Sequence, residues 1–256
     1  MAPDSAQLLG PGEGETLRPG FEIKVGRPEL VLTESLYAPG QRGPDPHVHH
    51  HHADSFWVLE GELLLGIGPD LEPRSVAAGG FALVPPDVLH TFHNPGPGEA
   101  RFLNLHAPGC AFEEYLRSGF TAPFDQHYEP AGTGRPAGEV ILLGPGEGEL
   151  REFGASTATL KARAGDALSS FALTDVTLAP GSPGPVAQLH EQAVDSFYVL
   201  EGVLTLRLGD DEVAAPAGSY AVVPPGTAHT FSNPGRDPVR VLNLMAPAVE
   251  DGLPAI

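Results

Sequence analysis

The sequence predicts an all-β protein built from two β-barrels that follow one another in the chain as a tandem duplication. The chain has 32 Gly and 28 Pro among its 256 residues, residue types that suit turns and are poor in helix interiors. Hydrophobic residues make up 41% of the chain, which is enough to fill packed cores. Long segments also recur in the same order, and short apolar runs alternate with turns, as in barrels and sandwiches.

The duplication is read directly from repeated segments. Residues 8–15 recur unchanged as 142–149, and residues 54–61 recur as 195–202 with one Trp replaced by Tyr. The later matches, which are partial, pair 84–96 with 223–235 and 102–108 with 241–247. Each copy has the usual size of one domain. The sequence therefore predicts an N-terminal domain at 1–134 and a C-terminal domain at 135–256.

Within each copy, short apolar and β-branched runs bounded by Gly and Pro predict strands. In the first copy they are 30–37, 55–59, 63–65, 80–84 and 101–106. In the second copy they are 169–178, 197–200, 203–208, 219–223 and 239–245. Apolar residues at helical spacing predict a short helix at 111–117, followed by a linker that ends near residues 132–136.

Charge and composition exclude several classes of partner. The formal net charge is −19, so a nucleic acid backbone or an anionic membrane surface would repel the protein. Nowhere do 18 apolar residues run together. The single cysteine, Cys110, forms no intrachain disulfide, and the first ten residues lack the features of a signal peptide. We therefore expect a cytoplasmic protein with a small-molecule substrate and neither nucleic acid nor membrane as partner.

Five of the eleven histidines lie between His47 and His52. An expression tag does not explain an internal run, and a solvated loop does not explain its spacing. His47 and His49 are two residues apart, so on a strand both imidazoles reach one point. Asp54 begins the next strand run, and His90 follows a Pro-rich turn. The spacing therefore favours a metal site.

The pattern resembles the two motifs of the cupin family, His-x-His-(x)4-Glu-(x)6-Gly and Pro-x-Gly-(x)2-His-(x)3-Asn. The matching residues are His47, His49, Gly61, Pro85, His90 and Asn94. Asp54 replaces the Glu of the first motif, and Asp87 replaces the Gly of the second. Both motifs recur in the second copy, so the whole chain resembles a bicupin.

The resemblance implies two jelly-roll barrels of the double-stranded β-helix type with short helices. It also implies that the mouth of the first barrel holds one metal through His47, His49, Asp54 and His90. Three imidazoles and one carboxylate suit Fe, Mn, Ni, Cu or Zn. Because Asp is shorter than Glu, Asp54 either binds the metal or acts beside it as a base.

The second copy departs from this pattern. Carried over residue by residue, its ligands are Gln188, His190, Asp195 and His229, with a glutamine in place of the first histidine. An amide oxygen is a poorer donor than an imidazole. A second working site, a weak non-catalytic metal site and a structural lobe without metal all remain open.

The remaining histidines are expected to have other roles. We expect His50, His51 and His52 to lie in a solvated loop, although His51 shares the strand parity of His47 and His49. His93 has the opposite parity to His90 and is expected to face away from the site. His106 has the parity to project into the barrel as a hydrogen-bonded strand residue.

The resemblance is to quercetinase-like bacterial cupins in particular. It implies a metal-dependent dioxygenase that acts on a small enolic or phenolic, flavonol-like substrate, with Asp54 as the candidate proton acceptor. Apolar residues that share parity with the ligands, or that form ordinary barrel core, are Phe56, Val58, Phe92 and Phe102.

Three alternatives to the dioxygenase remain open. They are an oxalate-type decarboxylase that uses Arg42 or Arg101, a cupin isomerase, and a non-catalytic small-ligand-binding cupin. We expect a monomer in which the two lobes mimic a dimer, with a further homodimer left open.

Overall fold

The structure, a computed structural model, describes residues 5–248. Residues 1–4 of the segment examined for a signal peptide lie outside the described residues. The described chain forms two compact units. The first comprises residues 15–147 and 165–170, and the second comprises residues 5–14, 148–164 and 171–248.

Twenty-two strands make up about half of the described chain. The first thirteen are β1 (Gln7–Leu9), β2 (Glu15–Arg18), β3 (Phe21–Gly26), β4 (Val31–Tyr37), β5 (His47–Val48), β6 (Ala53–Glu60), β7 (Glu62–Ile67), β8 (Glu72–Ala77), β9 (Phe81–Val84), β10 (His90–His93), β11 (Ala100–Ala107), β12 (His127–Tyr128) and β13 (Ile141–Leu143). The others are β14 (Glu149–Phe153), β15 (Ser156–Ala162), β16 (Ala172–Leu178), β17 (Val194–Glu201), β18 (Val203–Leu208), β19 (Asp211–Pro216), β20 (Tyr220–Val223), β21 (His229–Ser232) and β22 (Val239–Ala246).

Helices are few and short, as the Gly and Pro content predicts. The helix α1 spans Phe112–Arg117, within one residue of the predicted 111–117. Two short 3-10 helices lie at Ala137–Glu139 and Asp166–Leu168.

The first unit consists of two antiparallel sheets. The larger has the strand order β13-β9-β6-β11-β4-β3-β2, and the smaller has the order β12-β5-β10-β7-β8. In β7 the buried and half-buried residues alternate, which is the period expected of a strand with one face on the core. The first six residues of the central strand β6 are all buried. The inward-facing side chains, among them Phe56, Leu65 and Phe102, form the core of this unit.

The second unit repeats the plan with fewer strands. Its larger sheet has the order β1-β20-β17-β22-β16-β15-β14, and its smaller sheet has the order β19-β18-β21. An equivalent core includes Phe197, Leu206 and Val241. Two antiparallel β units that share one strand plan confirm the predicted all-β duplication.

The repeated eight-residue segment has an unexpected position. In the first copy, β1 pairs with β20 of the second unit, with Leu8 opposite Ala221. In the second copy, β13 pairs with β9 of the first unit, with Leu142 opposite Ala82. Each of these two short strands therefore completes the larger sheet of the unit formed mainly by the other half of the chain. The sequence divides the chain at residues 134 and 135, whereas the contacts assign residues 135–147 to the first unit and 5–14 to the second.

The turn between β6 and β7 requires a glycine, which a pair of alanine variants can test. Gly61 and Gly40 both have φ of +73°, but a Cβ at Gly61 would lie 2.4 Å from the Glu99 carbonyl oxygen, whereas one at Gly40 meets nothing within 4 Å. We expect Gly40→Ala to lower the free energy of unfolding by about 1 kcal/mol. Gly61→Ala should cost at least about 2 kcal/mol more, because the backbone must shift. Urea unfolding measures both, and equal costs would contradict the close approach.

Candidate metal centre

Strand pairing brings two of the predicted ligands, His47 and His90, together. His47 on β5 lies directly opposite His90 on β10 in the antiparallel register, and their ring centroids are 4.3 Å apart. The turn before β10, which contains Pro85 and Pro86, delivers His90 to this position. His49 follows β5 at once, and Asp54 is the second residue of β6.

Backbone carbonyls orient the three imidazoles. Nδ1 of His47 donates to the Asp45 carbonyl at 2.9 Å, and Nδ1 of His90 donates to the Val88 carbonyl at 2.9 Å. Nδ1 of His49 donates to the carbonyl of Asp125. Because a carbonyl only accepts hydrogen bonds, each Nδ1 carries the proton and each neutral ring keeps its lone pair on Nε2. Metal-binding histidines are commonly oriented in this way.

The donor atoms converge on one point. Ligand atoms of His47, His49, Asp54 and His90 all lie within 4.8 Å of one another, and the four side chains are buried. Asp54 Oδ2 lies 3.3 Å from Nε2 of His90 and 3.8 Å from Nε2 of His49. The structure thus brings together all four residues predicted from the first copy.

The donor set fits a bound cation. Nε2 of His49 is buried and has no hydrogen-bond partner among the described residues. Nε2 lone pairs also face a carboxylate oxygen, an arrangement of acceptors that a cation between them would satisfy. Buried polar atoms without partners are costly, so this geometry favours a metal ligated by the three Nε2 atoms and Asp54 Oδ2.

Protonation states agree with this fit. Burial lowers the pKa of His47 to about 2, with smaller contributions from His90 and His49. Burial by itself would raise the pKa of Asp54, but His106, His49 and His90 together outweigh it and hold that pKa well below its usual range. A neutral imidazole and an ionised carboxylate are the forms that bind metals.

Asn104 holds the other oxygen of Asp54, a role that sequence reasoning missed. Its side-chain amide donates to Asp54 Oδ1 and to the Ser55 carbonyl. Oδ2 is therefore the oxygen that remains directed at the histidines. The signal was present in the sequence, because Asn104 lies in a segment that recurs around Asn243.

The histidine loop divides into exposed and buried parts. His50 and His51 are exposed as expected, but His52 is only 1% exposed, so the expectation of a solvated position was wrong for it. His52 contacts Asp125 through Nδ1 at 3.0 Å and His106 through Nε2 at 2.8 Å. His106 Nε2 lies 3.0 Å from Asn104 Oδ1, so this row of contacts ends beside Asp54. His49, His52 and His106 also lie close enough together to hold a metal, and this set shares His49 with the first group.

Asp125 anchors the loop from the predicted linker. Its carboxylate accepts hydrogen bonds from the backbone N–H groups of His50 and His51 and contacts His52 Nδ1. Burial opposes its ionisation, but these interactions dominate and lower the pKa of Asp125. Nearby, His127 of β12 pairs with Val48 of β5. A segment without sequence periodicity thus covers the histidine loop, and nothing in the sequence indicated it.

The second group, which consists of the equivalent residues Gln188, His190, Asp195 and His229 of the second unit, lacks part of this arrangement. Gln188 lies opposite His229 in an isolated bridge, as His47 lies opposite His90. His190, Asp195 and His229 have ligand atoms within 4.8 Å of one another, and Nε2 of His190 has no partner among the described residues. Asn243 donates to Asp195 Oδ1, the counterpart of the Asn104 contact.

Electrostatics distinguish the two groups. Burial opposes protonation of His229, but the hydrogen bond and charge of Asp195 outweigh it and raise the pKa of His229. The Nε2 of His229 is 3.0 Å from Asp195 Oδ2. A protonated histidine must lose its proton before it binds a metal. The second group therefore offers fewer histidines and a less available one.

A cavity of about 400 Å³ opens beside the first group. It is lined by His47, His49 and Asp54 together with aromatic side chains that include Phe92 and Phe102. The two other residues considered for the pocket, Phe56 and Val58, are fully buried in the core instead. The volume is in the range of pockets that hold small organic ligands.

The other residues considered for the site lie apart from the first group. Arg42 lines the cavity, whereas Arg101 forms ion pairs with Glu34 and Glu60 and does not line it. His93 lies outside the close groups of possible ligands among residues 5–248.

Comparisons with known proteins agree with the fold. A model of the Cupin domain family matches residues 33–106 and 174–245. Quercetin 2,3-dioxygenase of Bacillus subtilis is 34% identical over 92 residues, which are 35% of this chain and 26% of that protein. The match therefore spans about a quarter of that relative's length.

Solved structures resemble the whole chain at low identity. A mutant of oxalate decarboxylase from Bacillus subtilis has a TM-score of 0.68 at 17% identity, covering 96% of this chain and 78% of that one. The protein Ylba from E. coli has a TM-score of 0.68 at 14% identity, covering 94% and 90%. Within residues 5–248, no helix combines the length and apolar character needed to cross a membrane.

The buried neutral histidines predict how stability depends on pH. Burial lowers the pKa values of His47 and His106, so between about pH 6.5 and pH 4 the unfolded chain binds protons that the folded chain does not. The free energy of unfolding of the metal-free protein should therefore decrease as the pH is lowered through this range, by up to about 1.4 kcal/mol per pH unit for each histidine. Denaturant titrations at several pH values in this range give the free energy of unfolding at each pH. Its dependence on pH should be weaker in His47→Asn than in the unchanged protein. The exposed His51→Asn is the control, and an unchanged slope in His47→Asn would contradict the assignment.

Proposed function

The chain belongs to the cupin family, and we propose that it is a metal-dependent dioxygenase whose metal is held by His47, His49, Asp54 and His90. Its substrate is a small enolic or phenolic molecule. The observation that carries the proposal is the convergence of four buried donor side chains, with the unpaired Nε2 of His49 among them, on one point beside an aromatic cavity. The partial likeness to a quercetin 2,3-dioxygenase supports the same reaction class.

The donor set suits Fe, Mn, Ni, Cu or Zn, the metals that imidazole and carboxylate ligands bind. Such a metal, when bound, supplies a Lewis acid that polarises a substrate oxygen and, for a redox-active ion, an electron path to dioxygen. The three imidazoles hold this position through Nε2, because their Nδ1 atoms are committed to backbone carbonyls.

Asp54 has two roles to reconcile. Its Oδ1 is held by Asn104, so Oδ2 is the atom directed at the histidines. The lowered pKa of Asp54 keeps the carboxylate ionised, which suits a ligand and makes it a weak base. We propose that Oδ2 binds the metal and accepts the substrate's hydroxyl proton only as that proton becomes more acidic on binding.

The cavity walls exclude water and favour a flat ligand. Tyr37, Phe92 and Phe102 contact one another and line the cavity. Burial raises the pKa of Tyr37 to about 12, so its hydroxyl stays protonated. These side chains provide an apolar wall for the body of an aromatic substrate.

A decarboxylase is the second candidate, because Arg42 lines the same cavity and provides a cationic contact for a small acid. The two reactions differ in what they consume and release. A decarboxylase of this kind releases carbon dioxide without net consumption of dioxygen, whereas a dioxygenase consumes dioxygen in proportion to the substrate lost. Simultaneous measurement of both gases separates the candidates.

Oxygen uptake with a panel of flavonols and β-diketones tests the main proposal. We expect protein loaded with one redox-active metal to consume dioxygen with at least one of these substrates. His49→Ala should lower the rate about 100-fold or more, because metal affinity falls. His190→Ala, the equivalent change in the second unit, is the matched control and should keep most of the activity. No uptake with any enolisable substrate would contradict the proposal.

Asp54→Asn separates the two roles of the carboxylate. If Oδ2 is a ligand, the variant should lose bound metal, measured by elemental analysis after dialysis, together with its activity. Retention of metal with loss of activity would assign Asp54 to proton transfer alone.

We also propose that the chain is a monomer in solution. Light scattering during size-exclusion chromatography should report the mass of one chain, and twice that mass would contradict the proposal.

A further inference from the structure

Cationic side chains are scarce in this protein and are mostly neutralised. The chain has only 14 Lys and Arg residues against 33 Asp and Glu. Eight of its arginines lie within 4.0 Å of a carboxylate oxygen, as do both lysines. Among the described residues, the four arginines without such a contact are Arg18, Arg42, Arg207 and Arg236.

Two of these four, Arg18 and Arg42, line the cavity beside the first group of histidines. The only carboxylate among the lining residues is Asp54, which lies with the histidines. Although carboxylates are in excess over the whole chain, no described carboxylate oxygen lies within 4.0 Å of these two guanidinium groups. A cationic cavity in a protein of net charge −19 points to an anionic ligand.

Arg18 is held without a carboxylate. Its guanidinium lies 5.0 Å from the ring centroid of Phe21 and 5.8 Å from that of Phe120. Stacking on aromatic faces positions a guanidinium while leaving the N–H groups in its plane able to donate. Its positive charge also reaches the Tyr37 hydroxyl, whose ionisation it favours. The side chain is therefore oriented, charged and available to a ligand.

Much of the remaining lining is aromatic. Eight Phe and Tyr side chains line this cavity, which is far more apolar wall than a two-carbon acid would need. Arginine binds carboxylates through two parallel N–H donors, a charge-assisted contact roughly twice as strong as a hydrogen bond between neutral groups. The cavity therefore combines a cationic subsite, an apolar wall and a metal-binding end.

We propose that the ligand of this cavity is an aromatic monocarboxylate, whose carboxylate is bound by Arg42 and Arg18 and whose ring lies along the aromatic wall. The opposite end of the ligand, a phenol or enol, faces His47, His49 and Asp54. Only the placement of the phenol or enol end rests on the proposed function. The carboxylate subsite is a property of the two arginines and needs no metal.

Isothermal titration calorimetry with matched probes tests the subsite. The probes are 3-(4-hydroxyphenyl)propanoate and its neutral amide, each titrated into the metal-free and the zinc-loaded protein. We expect the carboxylate to bind about tenfold more tightly than the amide in both forms, since one charge-assisted contact is worth about that factor. The preference should weaken as salt is added.

Variants assign the preference to the arginines. Arg42→Gln and Arg18→Gln should each reduce the preference for the carboxylate, and the double variant should abolish it. Arg42→Lys keeps the charge without the paired donors and should retain part of it. Arg207→Gln, which changes an equally unpaired arginine on β18, is the control and should leave binding unchanged. If Arg18→Gln does not fold, as judged by circular dichroism, the exposed Arg42 variants decide the outcome alone.

The contrary results are distinct from a failure of the proposed function. Equal binding of both probes overturns the subsite, and so does a carboxylate preference that appears only with zinc and survives both arginine changes, because the carboxylate then binds the metal. An arginine-dependent preference without oxygen uptake from any substrate leaves the subsite in place and removes only the dioxygenase. Oxygen uptake with neutral flavonols, together with equal binding of the two probes, supports the dioxygenase and overturns the carboxylate subsite.

Discussion

The candidate metal centre depends on one repeated interaction, the hydrogen bond from Nδ1 of His47, His49 and His90 to a backbone carbonyl. Three such bonds, to Asp45, Asp125 and Val88, place three lone pairs on Nε2 and aim them at Asp54 Oδ2. The carbonyls belong to loops, so the loops determine the chemistry of the rings. The pairing of β5 with β10 and the segment around Asp125 are the structural means of holding those loops.

The two units share one part of the site and differ in another. Both retain the Asp and Asn pair, through Asp54 with Asn104 and Asp195 with Asn243. The second unit has a glutamine at the first ligand position and a closer contact between histidine Nε2 and carboxylate Oδ2, 3.0 Å for His229 and Asp195 against 3.3 Å for His90 and Asp54. The sheet core is therefore kept in both copies, while the loops around the site have diverged. The two units thus share a fold but differ in the loops that carry the candidate site, as is common among proteins that share a fold.

Much of this arrangement could be predicted from the sequence. The repeats predicted two β units, and the spacing of His47, His49, Asp54 and His90 predicted the group that the structure brings together. Asp125 could not be predicted, because it acts on residues 73 to 76 positions earlier from a segment without periodicity. The exchange of β1 and β13 was also hidden, because identical segments give no sign of which unit they join.

The central claim is that the Nε2 atoms of His47, His49 and His90 and Oδ2 of Asp54 hold one metal ion. Anomalous diffraction from crystals grown with manganese or zinc tests it most directly. We expect a peak about 2.0–2.3 Å from each of these four atoms, at higher occupancy than any peak near His190 and His229. A peak held by His52 and His106 instead, or occupancy of the second group alone, would contradict the account.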